Sequence, residues 1–326
     1  MNGFSKVFAA CAIALVMWPP LVTAAAQGQP QAYPERPVRV IVPFAPGGGT
    51  DVNGRQVSAK LSEQFGQQFV IDNRGGGGGL IGMETVAKAA PDGHTLLYSS
   101  ASYVAAMATR KASYDTLKTL IPVVEIARSP YVIAVHPSLP ASMKELLELA
   151  RAKPGQIAYA SSGVGGLTHL ATELLLNMAK VQITHVPYKG AGPALPDLLA
   201  GRTPVLITTP ISLMTHFQSG RLRPLAVTGS QRLPQLPDVP VATDSVPGYV
   251  VYTWYAVFAP GGTPRRIVDR LNAAANKVLS EPEMRKNFDA QGIAASGGPP
   301  EQLGKLARGD YERWVKVVVE NRIALE

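Results

Sequence analysis

Strand-length apolar runs alternate with helix-period segments along the whole of this chain, and that alternation limits the folds open to it. The runs at 38–42, 69–71, 95–98, 131–135, 157–160, 182–186, 205–208 and 225–228 stand between helices predicted over 51–65, 79–90, 142–152, 168–180, 192–200, 264–280 and 300–320. Such a pattern predicts an α/β protein with mainly parallel strands, and the length and strand count predict two sheets in two domains. Val57, Leu61 and Phe65 share one helical face, Leu170, Leu174 and Met178 a second, and Ile267, Leu271 and Val278 a third. Each stripe is predicted to face a core. Trp254 and Tyr255, inside the apolar run 250–258, read as core or hinge packing.

Turn chemistry punctuates this pattern. Glycine-rich or Gly/Pro turns precede helices at Pro46-Gly47-Gly48-Gly49, at Arg74 with Gly75 to Gly79, at Ser161-Ser162-Gly163-Val164-Gly165-Gly166, at Tyr188-Lys189-Gly190-Ala191-Gly192-Pro193 and at Pro260-Gly261-Gly262-Thr263-Pro264. In open α/β sheets ligands sit outside the carboxyl ends of strands, where such turns lie. The first turn follows the strand Val40-Ile41-Val42 and opens a helix at Asp51. Its glycines let backbone approach a ligand, and the first N–H groups of the helix carry the positive end of its dipole, so it suits an anion. An ordinary strand-to-helix turn is the other reading. If the first two turns belong to one lobe and the third and fourth to another, a ligand would occupy the cleft between them. Asp51 either stabilises the helix end or faces the cleft and receives an ammonium or hydroxyl. His169, in the first turn of its helix, either donates to an anion or packs. Ser161 and Ser162 are capping residues by type whose hydroxyls can also turn toward a carboxylate.

Other chemistries find no support. Gly77, Gly79 and Gly82 form G-x-G-x-x-G, but the next strand ends in Ser99-Ser100 and lacks the acid that would hold a ribose. There is no G-x-x-x-x-G-K-[ST] phosphate loop and no G-x-S-x-G nucleophile elbow. The histidines, His94, His136, His169, His185 and His216, have no metal-site spacing, and no metal or cofactor is expected. His136 and His185 read as structural. Lys6, an apolar run from Val7 to Trp18 and the small residues Thr23-Ala24-Ala25-Ala26 make a signal peptide over 1–26, with cleavage before Gln27. Cys11 after Phe8-Ala9-Ala10 offers a lipoprotein reading, weakened because the apolar run continues past it. Since Cys11 is the chain's one cysteine, the mature protein has no disulfide and no thiolate. Removing Lys6 lowers the net charge from +8 to +7, which favours acidic ligands. Lys and Arg are scattered without interleaved aromatics, so nucleic acid is not an expected partner.

Several segments, in order, carry a family resemblance. They are Tyr33-Pro34-Glu35-Arg36-Pro37, Val42 to Asp51, Asp72-Asn73-Arg74-Gly75-Gly76 and Ala89-Ala90-Pro91-Asp92-Gly93-His94. Further along come Ala160-Ser161-Ser162-Gly163, His169-Leu170-Ala171, His185-Val186-Pro187-Tyr188-Lys189-Gly190, Leu236-Pro237-Asp238-Val239-Pro240 and Phe258 to Pro264. Together they resemble the solute-binding proteins of tripartite tricarboxylate transporters, the Bug-type receptors. The resemblance implies a periplasmic two-lobed clamshell, each lobe a mainly parallel sheet flanked by helices, that closes on a small carboxylate and delivers it to a membrane permease. It implies no chemistry on the ligand. Carried over, it places Phe44, Gly47, Gly48, Thr50 and Asp51 on one side of the ligand. Ser161, Ser162, Gly165, Gly166, His169 and Tyr188 face them. Ser100 is a further candidate by its place at a strand end, and Thr208 joins the candidates at the end of another.

Departures from the family pattern sharpen the expectation. A proline is usual where Gly75 stands, an asparagine near Leu80, and Asn and Ser where Val164 and Gly166 stand. An aspartate commonly follows the 205–207 strand, where this chain has Thr208-Thr209-Pro210. The expected ligand therefore lacks an ammonium group and has a bulkier or more apolar body, such as an aromatic or alicyclic acid. Lobe one is assigned to residues 30–127 plus 228–326 and lobe two to 128–227, in a monomer. Two other classes compete: a receptor that presents its closed form to a membrane signalling protein, and an exported hydrolase using Ser161 or Ser162 with His169.

Overall fold

A computed structural model describes residues 33–109 and 119–323, so the leader assigned to 1–26, with Cys11, lies outside the described residues. The chain runs β1 (Val38–Val42), α1 (Gly49–Phe65), β2 (Phe69–Asn73), α2 (Leu80–Ala87), β3 (Thr95–Ser100), α3 (Ser102–Thr109), β4 (Leu120–Pro130) and β5 (Val132–Val135). Next come α4 (Met143–Ala152), β6 (Ala158–Ser161), α5 (Leu167–Ala179), β7 (Thr184–Pro187), α6 (Ala191–Leu199), β8 (Val205–Thr208), α7 (Met214–Gln218) and β9 (Arg223–Val227). It ends with β10 (Tyr252–Pro260), α8 (Arg265–Ser280), α9 (Pro282–Ala290), β11 (Ala294–Ala295) and α10 (Pro300–Glu320).

These strands form two sheets, ordered β11-β4-β10-β3-β1-β2 and β7-β6-β8-β5-β9. The βαβ units behave as the alternation predicts: β1 pairs parallel with β2 and β3, and β6 with β7 and β8. The sheets are nonetheless mixed, not mainly parallel. β10 pairs antiparallel with β3 and β4, and β5 with β8 and β9. These strands carry the chain between the sheets. β4 enters β5 through Tyr131 alone, and parallel pairing needs a crossover of a dozen or more residues. β4 and β10 are the long strands the sequence concealed. Pro122, Glu125 and Arg128 interrupt the apolar pattern of β4, and its pairing with β10 shifts register at Tyr255/Ala256 and Val257/Phe258.

Two of the three predicted helical stripes face the core. Val57 and Leu61 are buried with Phe65 packed beside them, and Ile267, Leu271 and Val278 are all buried. In α5 the buried face is Leu170, Ala171, Leu175 and Leu176, while Met178 is 37% exposed. The reason is helical pitch: a line through i, i+4 and i+8 drifts about 80° around the axis, so Met178 rotates out of the face that Leu170 begins. One apolar core joins the two sheets, uniting Leu97, Trp254 and Phe258 with Ile133, Tyr159 and Leu170, and Trp314 of α10 packs into it. After β9 the chain runs along the second sheet before it returns to the first. Leu233, Leu236 and Val239 pack on Val132 and Val227 of the second sheet, Tyr249 Oη donates to the Ala171 carbonyl at 2.9 Å, and β10 rejoins the first sheet only at Tyr252.

Candidate functional site

The first turn is built by three residues with separate jobs. Gly47 takes φ +89°, a left-handed value that a side chain disfavours, and Gly48 caps the helix in an extended conformation. Asp51 then holds the turn from below. Its Oδ2 accepts from the Gly47 N–H at 3.0 Å and from Arg55 Nε at 3.1 Å, and its Oδ1 accepts from Asn73 Nδ2 at 2.9 Å. Burial pushes this carboxyl up, and the bonds from Arg55, Gly47 and Asn73 outweigh it, so its pKa lies below the ordinary aspartate value. On the other sheet, Thr168 organises the serine-glycine turn. Its Oγ1 accepts from the Ser162 N–H at 2.8 Å and lies 2.7 Å from Ser162 Oγ.

Between the two turns lies a narrow pocket with about 30 Å3 of free internal space. First-turn residues of four helices reach it: Gly49 and Thr50 of α1, Ser102 of α3, Thr168 of α5 and Ala191 of α6. Its remaining wall is Phe44 and Gly48, the strand-end residues Ser100 and Thr208, and Tyr131, Ser162, Thr209, Thr253 and Tyr255. Hydroxyls dominate this lining, and no ionisable acid, lysine, arginine or histidine is part of it. Burial pushes the Tyr131 and Tyr255 hydroxyls far above the ordinary tyrosine value, so both remain neutral donors. Four helix N-termini aimed into a cavity without a cation create a positive potential from backbone dipoles alone. Among the described residues, no group of three or more His, Cys, Asp or Glu side chains is placed to hold a metal ion.

The sequence model of the tripartite tricarboxylate transporter family receptor matches residues 54–323. The chain belongs to this receptor family. A relative from Pseudomonas sp. strain P51, described as the UPF0065 protein in the tcbD-tcbE intergenic region, is 43% identical over 90% of this chain and 88% of its own length. Among solved structures, R. palustris Rpa4515 with adipate superposes with a TM-score of 0.86 at 38% identity, covering 90% of this chain and 99% of that one. MatC (Rpa3494) from Rhodopseudomonas palustris with bound malate gives 0.84 at 32% identity, covering 88% and 100%. The two mixed sheets flanked by helices are thus the α/β two-lobed fold of periplasmic binding proteins.

Against this receptor frame, Phe44, Gly48, Thr50, Ser100, Ser162 and Thr208 of the sequence candidates meet in the pocket. Gly47, Asp51, Ser161, Gly165, Gly166, His169 and Tyr188 stand outside its lining. Tyr188 Oη donates to Asp197 Oδ2 at 2.5 Å, and its ring lines a separate outer groove with Lys189 and Gly76 to Gly78. His169 stacks on His185 with ring centroids 4.1 Å apart, and His185 stacks on Tyr159 at 4.9 Å. The His169 Nδ1 accepts from the Gly165 N–H at 3.2 Å, which puts the proton of the neutral ring on Nε2. Burial pushes both histidines down to about 4, helped at His169 by its neighbour His185. Ser161 Oγ lies 2.6 Å from His185 Nε2, not at His169, and is fully buried. The serine-histidine pair imagined for a hydrolase is therefore not the pair that forms, and the one that forms is closed to substrate. Sequence reasoning missed Gly49, Ser102, Tyr131, Thr168, Ala191, Thr209, Thr253 and Tyr255. Thr209 had a signal in the Thr208-Thr209-Pro210 strand end, whereas Thr253 and Tyr255 sat inside a run that looked like core.

Proposed function

We propose that this receptor captures a small organic carboxylate between its lobes, does no chemistry on it, and delivers it to the membrane permease of a tripartite transporter. The observation that carries the reading is the convergence of four helix N-termini and many neutral hydroxyls on a pocket without an ionised side chain. Aligned backbone dipoles favour an anion there, and hydroxyls complete its hydrogen bonds without fixing its charge count. The adipate and malate of its structural relatives are carboxylates of this kind. The predicted leader supports export to the periplasm, where such a receptor works as a monomer, with lobe one drawn from 30–127 plus 228–326 and lobe two from 128–227.

The ligand lacks an ammonium group. Asp51, the nearest acid in sequence to the pocket, is fully engaged by Gly47, Asn73 and Arg55, and a buried unpaired ammonium costs several kcal/mol. Phe44, Tyr131 and Tyr255 are the aromatic residues of the lining and the candidates to pack against an apolar body. Matched pairs in a thermal-shift screen test this: adipate against 2-aminoadipate, and phenylacetate against phenylglycine. At saturating concentration an accepted acid should raise Tm by at least about 3 °C while its amino partner leaves Tm unchanged. Stabilisation by the amino acids without stabilisation by the acids would sink the reading.

A further inference from the structure

We infer that Gly49 is a positioning residue for ligand capture, because its contact with Thr209 and Tyr255 sets how far the two lobes close. The inference rests on the two-lobed receptor reading. Gly49 opens α1, and it is not among the glycines with positive φ, so its backbone conformation does not require glycine. Alanine is the better helix former at such a position. What the position requires is empty space. A Cβ built on Gly49 would overlap Thr209 Oγ1, stand 2.8 Å from the Tyr255 hydroxyl and lie 3.0 Å from Ile211 Cγ2. Thr209 follows β8 of the second sheet, whereas Tyr255 belongs to β10 of the first. Tyr255 Oη donates to Thr209 Oγ1 at 3.0 Å, so this bond joins the lobes inside the pocket that both residues line.

The lobes also meet elsewhere: the Leu167 N–H donates to Ser102 Oγ at 3.3 Å beside the pocket, and backbone touches backbone along the outer seam. The Ala45 N–H donates to the Lys189 carbonyl at 2.8 Å, and Gly78, at φ +67°, faces the Val164 carbonyl. At the α1 side of the pocket, the space at Gly49 sets how closely Thr209 approaches the helix. A methyl group on Gly49 would hold Thr209 off the helix, break the Tyr255 bond and leave the cleft ajar.

A cross-link reads closure without any ligand. A Cβ on Gly48 would stand 3.6 Å from the Ala191 Cβ, across the seam, and disulfides need a Cβ separation of about 3.5–4.5 Å. In the full chain carrying Cys11→Ser, the pair Gly48→Cys with Ala191→Cys should cross-link under mild oxidation. Adding Gly49→Ala should slow the cross-link at least about tenfold, and adding Thr209→Ala as well should restore the rate to within about threefold of the parent pair. In the open form the methyl is clear of Thr209 but still stands 2.8 Å from the hydroxyl of Tyr255, which belongs to the same lobe, so any Tm loss with Gly49→Ala should stay under about 3 °C. Three results would overturn the inference: a parent pair that never cross-links, a rate unaffected by Gly49→Ala, or equal slowing with and without Thr209→Ala. Failure of the acid screen would leave this result standing, because the cross-link is measured without ligand.

Discussion

Asp51 sits next to the pocket and serves it indirectly. It is 3% exposed, and its carboxylate ties together the N–H of Gly47, the side chain of Asn73 and Arg55 one helical turn on. Asn73 Nδ2 also donates to the Phe44 carbonyl at 3.0 Å, so the same cluster holds the residue that lines the pocket. Arg55 is half-exposed and its ion pair is worth little by itself. The buried bonds to Gly47 and Asn73 matter more, because losing the acceptor strands two donors. Asp51→Ala should therefore lower unfolding free energy by about 2 kcal/mol in urea titration, with Arg55→Gln costing under about 1 kcal/mol. Equal losses for the two variants would contradict this account.

The element that most changed the reading of the site is α5 with the strand before it. Its buried face locks His169 against His185, and the stack ends on Tyr159, whose hydroxyl donates to Glu173 at 2.5 Å. Both imidazoles have pKa values of about 4 in the fold, against 6.5 for the free side chain. Between those values the unfolded chain binds more protons than the folded one, so stability is fully present above pH 6.5 and is lost as pH falls toward 4. Urea midpoints should fall across that window, and His169→Gln should shallow the fall by removing one of the two titrations. A slope unaltered by His169→Gln would show that the stack does not govern acid stability. The periodicity that located α5 did not reveal this role, because a histidine in a first turn looks the same in sequence whether it faces a ligand or another ring.

At the scale of the molecule, one core is shared by both sheets, and the closure proposed above would turn around it. On that proposal the hinge falls near β4–β5 and the entry to β10, where the chain passes between the sheets. Small-angle scattering should give a radius of gyration near or somewhat above about 19 Å without ligand and a smaller value with saturating adipate or another accepted acid. No compaction in the presence of a ligand that raises Tm would argue against a closing clamshell. Local patterning was enough to determine the βαβ units and to place Gly48, Thr50, Ser100, Ser162 and Thr208 at strand ends and the turns that follow them, because strand-turn-helix chemistry is written in neighbouring residues. Register across the antiparallel strands, the rotation of α5 and the meeting of Gly49 with Thr209 and Tyr255 were decided by tertiary structure. These contacts join residues as many as 206 positions apart, and no local periodicity encodes which distant backbone will fill the space that a missing side chain leaves.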